Sequence, residues 1–257
     1  MKKSFEYDGF WYEGDSGLFS KVPNGYGKAT YKDGGTYEGE WVDGKREGKG
    51  VFTTKDGTRY IATYQNNFPN GKGEIRYPNG TAVIGSFANG WYIPKGRINF
   101  ADGAVYDGEL QKNCRHGFGV CTYKNGNRYE GEWKEGKKHG KGKFFYKEGD
   151  YIYSEEWTDN GDGMTALYFM KSNGTKFFGK LSNWQLCGYG IAEFTNGDKY
   201  EGEFKNYYRH GRGKYSWANG DVYDGEWDMG KRTGLGRMRF ANGTLQEGKF
   251  KDDQFLG

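Results

Sequence analysis

The chain has 257 residues, of which 34% are hydrophobic, 19% are aromatic and 46 are glycine; this excludes a conventional aliphatic interior, and the lack of a strict third-residue glycine excludes collagen. Aromatic residues at this density also exclude an intrinsically disordered tail. Thirty-eight basic against 34 acidic residues leave a net charge of +4, too balanced for a dedicated nucleic-acid binder, and three cysteines with no CxxC pair point to a reduced, cytoplasmic compartment.

The N-terminal MKKSFEYDGFW has two lysines but no apolar run behind them, and no window approaches the ~18 apolar residues of a membrane span. Residues 1–36 hold an imperfect unit with two overlapping starts, at Tyr7 and Tyr12. A period of 23 residues then runs through residues 37–152, with units opening at Tyr37, Tyr60, Val83, Tyr106 and Tyr129. Residues 153–176 form a degenerate unit, in which MTALYF replaces the usual second strand, predicted to bend the array or to receive a partner. Regular units resume over residues 177–257, at Phe177, Tyr200 and Tyr223, and close with a half unit from Gln246. Roughly ten and a half repeats fill the chain, with no room for a second domain.

With the first tyrosine as offset 0, a unit reads Y-x-G-x-W, a polar turn, glycines at offsets 11 and 13, aromatics near 15 and 17, and DG or NG at 19 and 20. Period-2 alternation on both sides of a turn predicts two short antiparallel strands per unit. A register in which paired offsets sum to 15 places Trp133 opposite Gly140, Gly131 opposite Gly142 and Tyr129 opposite Phe144, so that rings cover strand glycines. The same register faces Glu132 with Lys141, Glu130 with Lys143, Glu40 with Lys49, Glu201 with Lys214 and Glu203 with Arg212. The fold class is therefore all-β, an elongated antiparallel β-hairpin solenoid, and at about 4.8 Å per strand a twisted rod on the order of 100 Å long. Strand edges at the rod's ends invite self-association, as a homodimer or end to end.

YEGEW followed by DGKREGKG at residues 37–50, YEGEWKEGKKHGKG at 129–142, YEGEFKNYYRHGRG at 200–213 and YDGEWDMGKRTGLG at 223–236 resemble the MORN repeat, named for membrane occupation and recognition nexus. The resemblance implies a solenoid without intrinsic activity. Arrays accompanied by no kinase or methyltransferase domain, as here, are most similar to the scaffold members of the family, which include radial spoke head proteins of cilia.

Candidate chemistry is sparse. His116, His139 and His210 share offset 10 and are read as turn residues; Cys114, Cys121 and Cys187 are read as free thiols. GKREGKG and its kin lack the Walker spacing and its helix, and the acidic stretch around Asp159 and Asp162 lacks the alternating carboxylates of a calcium loop. No catalytic residue, metal or cofactor is expected. Two surfaces stand out. Lys45, Arg46, Arg115, Lys137, Lys138, Arg209, Lys231 and Arg232 occupy offsets 8 and 9, predicted to be turns projecting as a basic edge toward anionic lipid or an acidic protein. In the units from Tyr60 and Val83 the same turn carries Phe68, Pro69, Trp91, Tyr92 and Ile93, predicted as an exposed docking patch. The leading function is a non-enzymatic protein–protein interaction scaffold in a cytoskeletal, ciliary assembly. The alternatives are a peripheral membrane adaptor for anionic phospholipids and a regulatory subunit of a separate enzyme. No nucleic-acid partner is expected.

Overall fold

A computed structural model of the chain describes residues 2–88, 90–158 and 164–257. Asp159 and Asp162 lie outside the described residues. The described residues form 23 β-strands and no helix, all paired antiparallel, as the sequence predicts. The contacts divide the chain into two compact units, one running to Lys124 with Lys134–Gly136, the other comprising Asn125–Trp133 and Lys137–Gly257.

In the first unit the chain meanders from strand to strand. Lys2–Tyr7 pairs with Phe10–Ser16 across a tight turn, and Phe10–Ser16 pairs with Pro23–Tyr31. Tyr12, fully buried and level with the Gly14–Gly27 pair, is thus the first true offset-0 tyrosine, while Tyr7 only ends the first strand. The same pattern then repeats: Thr36–Val42 with Lys45–Thr53, Arg59–Gln65 with Phe68–Arg76, Ala82–Phe87 with Lys95–Asn99, and Val105–Gln111 with Cys114–Thr122. The second unit follows the same rule, for example Lys199–Lys205 with Tyr208–Ser216 and Val222–Asp228 with Lys231–Arg239. The irregular stretch is also built of strands, since Tyr151–Trp157 pairs with Thr165–Phe169 and that with Lys176–Ser182.

Two turn types explain the punctuation. Offsets 6 and 7 form two-residue turns with both residues at positive φ, as at Asp43 (48°) and Gly44 (78°) or Asn206 (51°) and Tyr207 (66°), the primed geometry that matches strand twist. At offsets 17–21 the chain makes a longer turn in which only the glycine is left-handed: Gly57 N–H donates to Thr54 O and Thr54 N–H to Thr58 O, both at 2.9 Å. Offset-19 side chains close it, Asn79 Oδ1 accepting from Thr81 N–H and Asp102 Oδ1 from Ala104 N–H at 2.9 Å.

The predicted register holds throughout the hairpin opening at Val83, and elsewhere for half of the hairpin before it breaks. Tyr37 faces Phe52, Glu38 faces Val51 and Gly39 faces Gly50, each pair summing to 15. Beyond Gly39 a bulge shifts the partners, so that Glu40 faces Glu47 and Trp41 faces Arg46. The bulge recurs at Gly108, Gly179, Gly202 and Gly225. Its cause is the offset-11 glycine, left-handed at Gly48 (φ 56°), Gly117 (55°), Gly140 (52°), Gly211 (58°) and Gly234 (58°), a conformation that a Cβ would strain. Gly140 therefore faces Trp157 of the next unit rather than Trp133, and Gly48, Gly211 and Gly234 face Tyr64, Trp227 and Phe250 likewise.

Aromatic side chains do cover the glycines, but from within the unit. The Tyr37 ring lies over the Gly39–Gly50 pair, and its hydroxyl donates to Glu40 O at 3.2 Å. Tyr106, Tyr129, Tyr200 and Tyr223 repeat this contact on Glu109, Glu132, Glu203 and Glu226 at 2.8, 3.1, 2.9 and 3.1 Å. The offset-4 indole reaches back one unit, Trp41 Nε1–H donating to Gly27 O at 3.2 Å and Trp227 Nε1–H to Gly213 O at 2.9 Å. Tyr37 and Trp41 stand edge to face at 5.2 Å, as do Tyr223 and Trp227. The core of each unit is thus one aromatic face of the sheet, with offsets 0, 2, 4, 9, 13 and 15 on it and offsets 1, 3, 12 and 14 on the other.

Candidate interaction surfaces

The bulge gives the offset-3 glutamate a different task from the predicted cross-strand ion pair. Glu40 Oε1 accepts the Lys49 backbone N–H at 3.0 Å, and Glu203 Oε1 that of Arg212 at 3.1 Å. Glu226 and Glu109 do the same for Leu235 and Phe118 at 3.2 and 3.4 Å, so this carboxylate caps the bulge instead of answering a lysine. Other predicted pairs are also exchanged. Lys141 approaches Glu155 at 3.5 Å, Glu130 pairs with Arg128 at 3.1 Å, and Lys143 sits over the Tyr151 ring at 3.5 Å. Glu201 does face Lys214, while its carboxylate accepts the Tyr189 hydroxyl at 2.7 Å. Strong pairs join consecutive units: Arg97 with Asp107 through two contacts at 2.9 Å, and Arg237 with Glu247 at 2.8 Å.

The predicted basic edge is divided. Because the turn is only two residues long, offsets 8 and 9 open the second strand and point to opposite faces. Lys45, Lys137 and Lys231 at offset 8 are exposed. Arg46, Arg115, Lys138, Arg209 and Arg232 at offset 9 are half-buried on the aromatic face. The Arg46 guanidinium lies 5.1–5.9 Å from the rings of Tyr31, Tyr37, Phe52, Tyr64 and Trp91, and the Lys138 ammonium 4.5 Å from Trp184 and 5.3 Å from Trp157. Arg209 stacks on Trp227 at 4.4 Å and donates to Gly230 O at 2.7 Å; Arg232 donates to Asp253 O at 2.8 Å; Arg115 lies over Phe100 at 5.0 Å and donates to Gly136 O. Burial lowers the Arg209 pKa from its ordinary value. Arg115, Arg209 and Arg232 thus tie their hairpins to the next turn, while the charged groups of Arg46 and Lys138 sit among rings.

The predicted aromatic patch is divided in the same way. Phe68 and Tyr92 are exposed, at 54% and 53%. Ile93 is fully buried, with its N–H donated to Asn113 Oδ1 at 2.9 Å, and Trp91 packs on Tyr60 at 4.9 Å and Phe52 at 5.2 Å. These two turn residues fold back onto neighbouring repeats. Pro69 is buried in its strand. Sequence reasoning missed the counterpart in the second unit: Tyr208, at the same offset as Phe68, is 53% exposed beside Gly230, and Met229 next to it is 44% exposed. Its signal is the YY in place of the usual GK.

His116, His139 and His210 lie within strands rather than turns, one residue before the bulge glycine. Their carbonyls accept a second contact from the tyrosine hydroxyls of Tyr106, Tyr129 and Tyr200 at 3.2–3.4 Å. Cys114 is exposed, Cys187 half-buried and Cys121 buried, all free. Among the described residues no group of three metal-ligating side chains converges, and no helix is long and apolar enough to cross a membrane.

The face opposite the aromatic one carries a departure in the first unit. Across its strands the offset 1 and 14 positions form one row, Glu38–Val51–Ile61–Glu74–Ile84–Arg97. In the second unit the equivalent row reads Glu201–Lys214–Asp224–Arg237–Glu247, strictly alternating in charge. Val51, Ile61 and Ile84 of this row line an open groove of about 580 Å³ together with Tyr26, Thr63, the lysines Lys49 and Lys72 and the glutamates Glu38 and Glu74.

The sequence model of one family, described as MORN repeat, matches residues 20–36, 37–59, 60–82, 106–128, 129–151, 200–222 and 223–245, more than half of the chain. The chain belongs to the MORN-repeat family. Hairpins between these matches, such as Ala82–Phe87 with Lys95–Asn99 and Lys176–Ser182 with Gln185–Glu193, keep the MORN strand pairing despite their altered sequence. No curated protein matches this MORN-repeat chain in sequence. Among solved structures it is similar to the TCP domain of Drosophila melanogaster SAS-4 in complex with a proline-rich motif of Ana2 (14% identity, 75% of this chain and 90% of that one, TM-score 0.36). It is also similar to the TCP10 domain of Danio rerio CPAP with a peptide of STIL (12%, 97% and 100%, 0.28) and to virginiamycin B lyase from Staphylococcus aureus (10%, 90% and 85%, 0.17). Scores this low carry no argument about function.

Proposed function

We propose that this MORN-repeat chain is a non-enzymatic scaffold that holds other proteins at fixed spacing in a cytoskeletal, ciliary assembly of the cytoplasm. The observation that carries the reading is the row geometry: equivalent side chains recur across successive strands of each unit, so one elongated partner meets several hairpins at once, while exposed aromatics such as Phe68, Tyr92 and Tyr208 offer anchors. The ciliary placement rests on the resemblance to the scaffold members of the MORN-repeat family. A scaffold of this kind stays with the detergent-insoluble cytoskeleton at about 0.5 M salt, where the Debye length falls to roughly half its physiological value, and crosslinking mass spectrometry on the native protein finds fixed neighbours. Release at that salt together with flotation on anionic liposomes supports instead a peripheral adaptor working through the exposed Lys45, Lys137 and Lys231.

A further inference from the structure

In the second unit the face opposite the aromatic one changes character between the MORN match that ends at residue 151 and the next, which begins at residue 200. In the regular repeats beyond it, offsets 1 and 14 carry charge, as in the row Lys214–Asp224–Arg237–Glu247. Here the same row reads Lys143–Tyr153–Leu167–Phe178–Ile191–Glu201, four apolar residues between a lysine and a glutamate. Tyr153 is 38% exposed and Phe178 50%; Leu167 and Ile191 are half-buried. A parallel row on this face adds Phe145, Tyr151 and Phe169, the last two stacked at 4.9 Å. A depression of about 380 Å³ lies against Leu167, lined also by Tyr153, Phe178, Thr165 and the carboxylates of Glu155 and Glu156. Open apolar surface grouped in this way marks a contact rather than a solvated face.

We propose that this face pairs with the same face of a second copy of the chain. The contact uses a sheet face, not the strand edges at the ends, and does not depend on the scaffold reading. Charge selects both the occupant and its orientation. A two-fold axis lying in the contact plane along the strands, between Thr165–Phe169 and Lys176–Ser182, sets each strand against the one equally far on the other side. Leu167 then meets Phe178 of the second copy, whose ring fits the depression, Tyr153 meets Ile191, and Lys143 meets Glu201. In the row of offsets 3 and 12, Lys141 meets Glu203, Glu155 meets the Tyr189 hydroxyl, and Thr165 meets Lys180. In the third row Phe169 and Phe145 meet the ammonium groups of Lys176 and Lys199, and Tyr151 meets Glu193. No pair sets like charges together; Glu156, the extra residue of its strand, lies outside the rows. An axis turned to run across the strands would instead set Lys143 on Lys143 and Glu201 on Glu201. The charged groups already have contacts within one copy, Lys143 on the Tyr151 ring at 3.5 Å, Lys141 with Glu155 at 3.5 Å and Glu201 with the Tyr189 hydroxyl at 2.7 Å. The ion pairs therefore set the register, and the apolar rows supply the affinity. Six strands span about 24 Å and stacked sheets lie about 10 Å apart. The apolar area falls short of the ~800 Å² per partner of a standard interface, so the dimer is a micromolar one. An anionic bilayer or an acidic partner would meet Glu155, Glu156, Glu201 and Glu203 on this face and is a poorer occupant.

The test is analytical ultracentrifugation of the full chain from about 1 to 100 µM, where monomer and dimer exchange with concentration. Phe178→Glu weakens the dimer about tenfold or more, while Leu235→Glu, at a more than half-exposed side chain in Lys231–Arg239 beyond the contact, changes it less than about twofold. Charge reversal supplies a readout that misfolding cannot imitate. Lys143→Glu alone sets glutamate on glutamate twice, and Glu201→Lys alone sets lysine on lysine twice, so each variant dimerises about tenfold more weakly. An equimolar mixture of the two satisfies both pairs and forms a heterodimer within about threefold of the native affinity. A chain that stays monomeric throughout, a dimer that survives Phe178→Glu, or a mixture that pairs no better than its components overturns the proposal.

Discussion

Replacing Gly50 by alanine tests whether the tyrosine-over-glycine contact sets the geometry of a repeat. An ideal Cβ at Gly50 falls 2.5 Å from Tyr37 Cζ and on top of the hydroxyl oxygen, about 1 Å inside the 3.5–4.0 Å at which carbon atoms meet favourably. The ring has nowhere to retreat, being fully buried and wedged between Trp41 at 5.2 Å and Tyr64 at 5.0 Å. Overpacking of this kind costs about 1–3 kcal/mol, and displacing the hydroxyl from Glu40 O adds roughly 1 kcal/mol, so Gly50→Ala should destabilise its hairpin by about 2–4 kcal/mol. Repeat arrays need not unfold in one step, so the measurement is hydrogen exchange of the amides of Thr36–Val42. The same substitution in a Tyr37→Ala background, where the clash is gone, should cost less than about 0.5 kcal/mol. Equal costs in the two backgrounds would refute the reasoning.

Trp91→Ser should lower the protection of amides in Arg59–Gln65 by about 2–3 kcal/mol, since the indole packs on Phe52 and Tyr60, whereas Phe68→Ser, at a side chain more than half exposed, should change it by less than about 1 kcal/mol. Burial pushes the Tyr106 and Tyr223 hydroxyls up to about 12. In the unfolded chain they titrate near 10, so above that pH the folded state binds more protons. Their contribution is complete below about pH 10 and is lost as pH rises toward 12; ultraviolet absorbance should show these tyrosines ionising together with loss of the fold, and ionisation near 10 with the fold intact would contradict it.

The period, the all-β class and half of the register were legible because they are local: Tyr37, Gly39, Gly50 and Phe52 recur at fixed spacing and alternate faces. The bulge was not legible, because a glycine that needs positive φ and one that yields space to a ring look alike in a sequence; Gly48 is the first kind and Gly50 the second. Missing the bulge misassigned Glu40 to the Lys49 side chain and Glu203 to that of Arg212, and placed offsets 8 and 9 in a turn. It thereby made Arg46 and Arg209 look like surface charges when their guanidiniums lie on rings. Trp91 was misplaced for a related reason. A turn residue has no core within its own hairpin, but here the rings it joins belong to earlier repeats.

The bulge also determines where recognition can vary. Offsets 0, 2, 4, 11 and 13 are bound by the ring, the left-handed glycine and the indole, and offset 9 by its stacking, so changes there alter the sheet before they alter a partner. Offset 3 is the position where a repeat keeps or gives up its cap. A glutamate that caps the bulge also places a negative charge beside the offset-12 residue, as Glu203 does beside Arg212. Thr63 gives up that cap at a bulge of its own, beside the left-handed Gly71, so the offset-12 Lys72 has no offset-3 carboxylate next to it. Restoring glutamate by Thr63→Glu should therefore raise the stability of that hairpin by about 1 kcal/mol, measured by hydrogen exchange of the amides of Arg59–Gln65. Unchanged protection would show that the carboxylate cap does not hold the bulge.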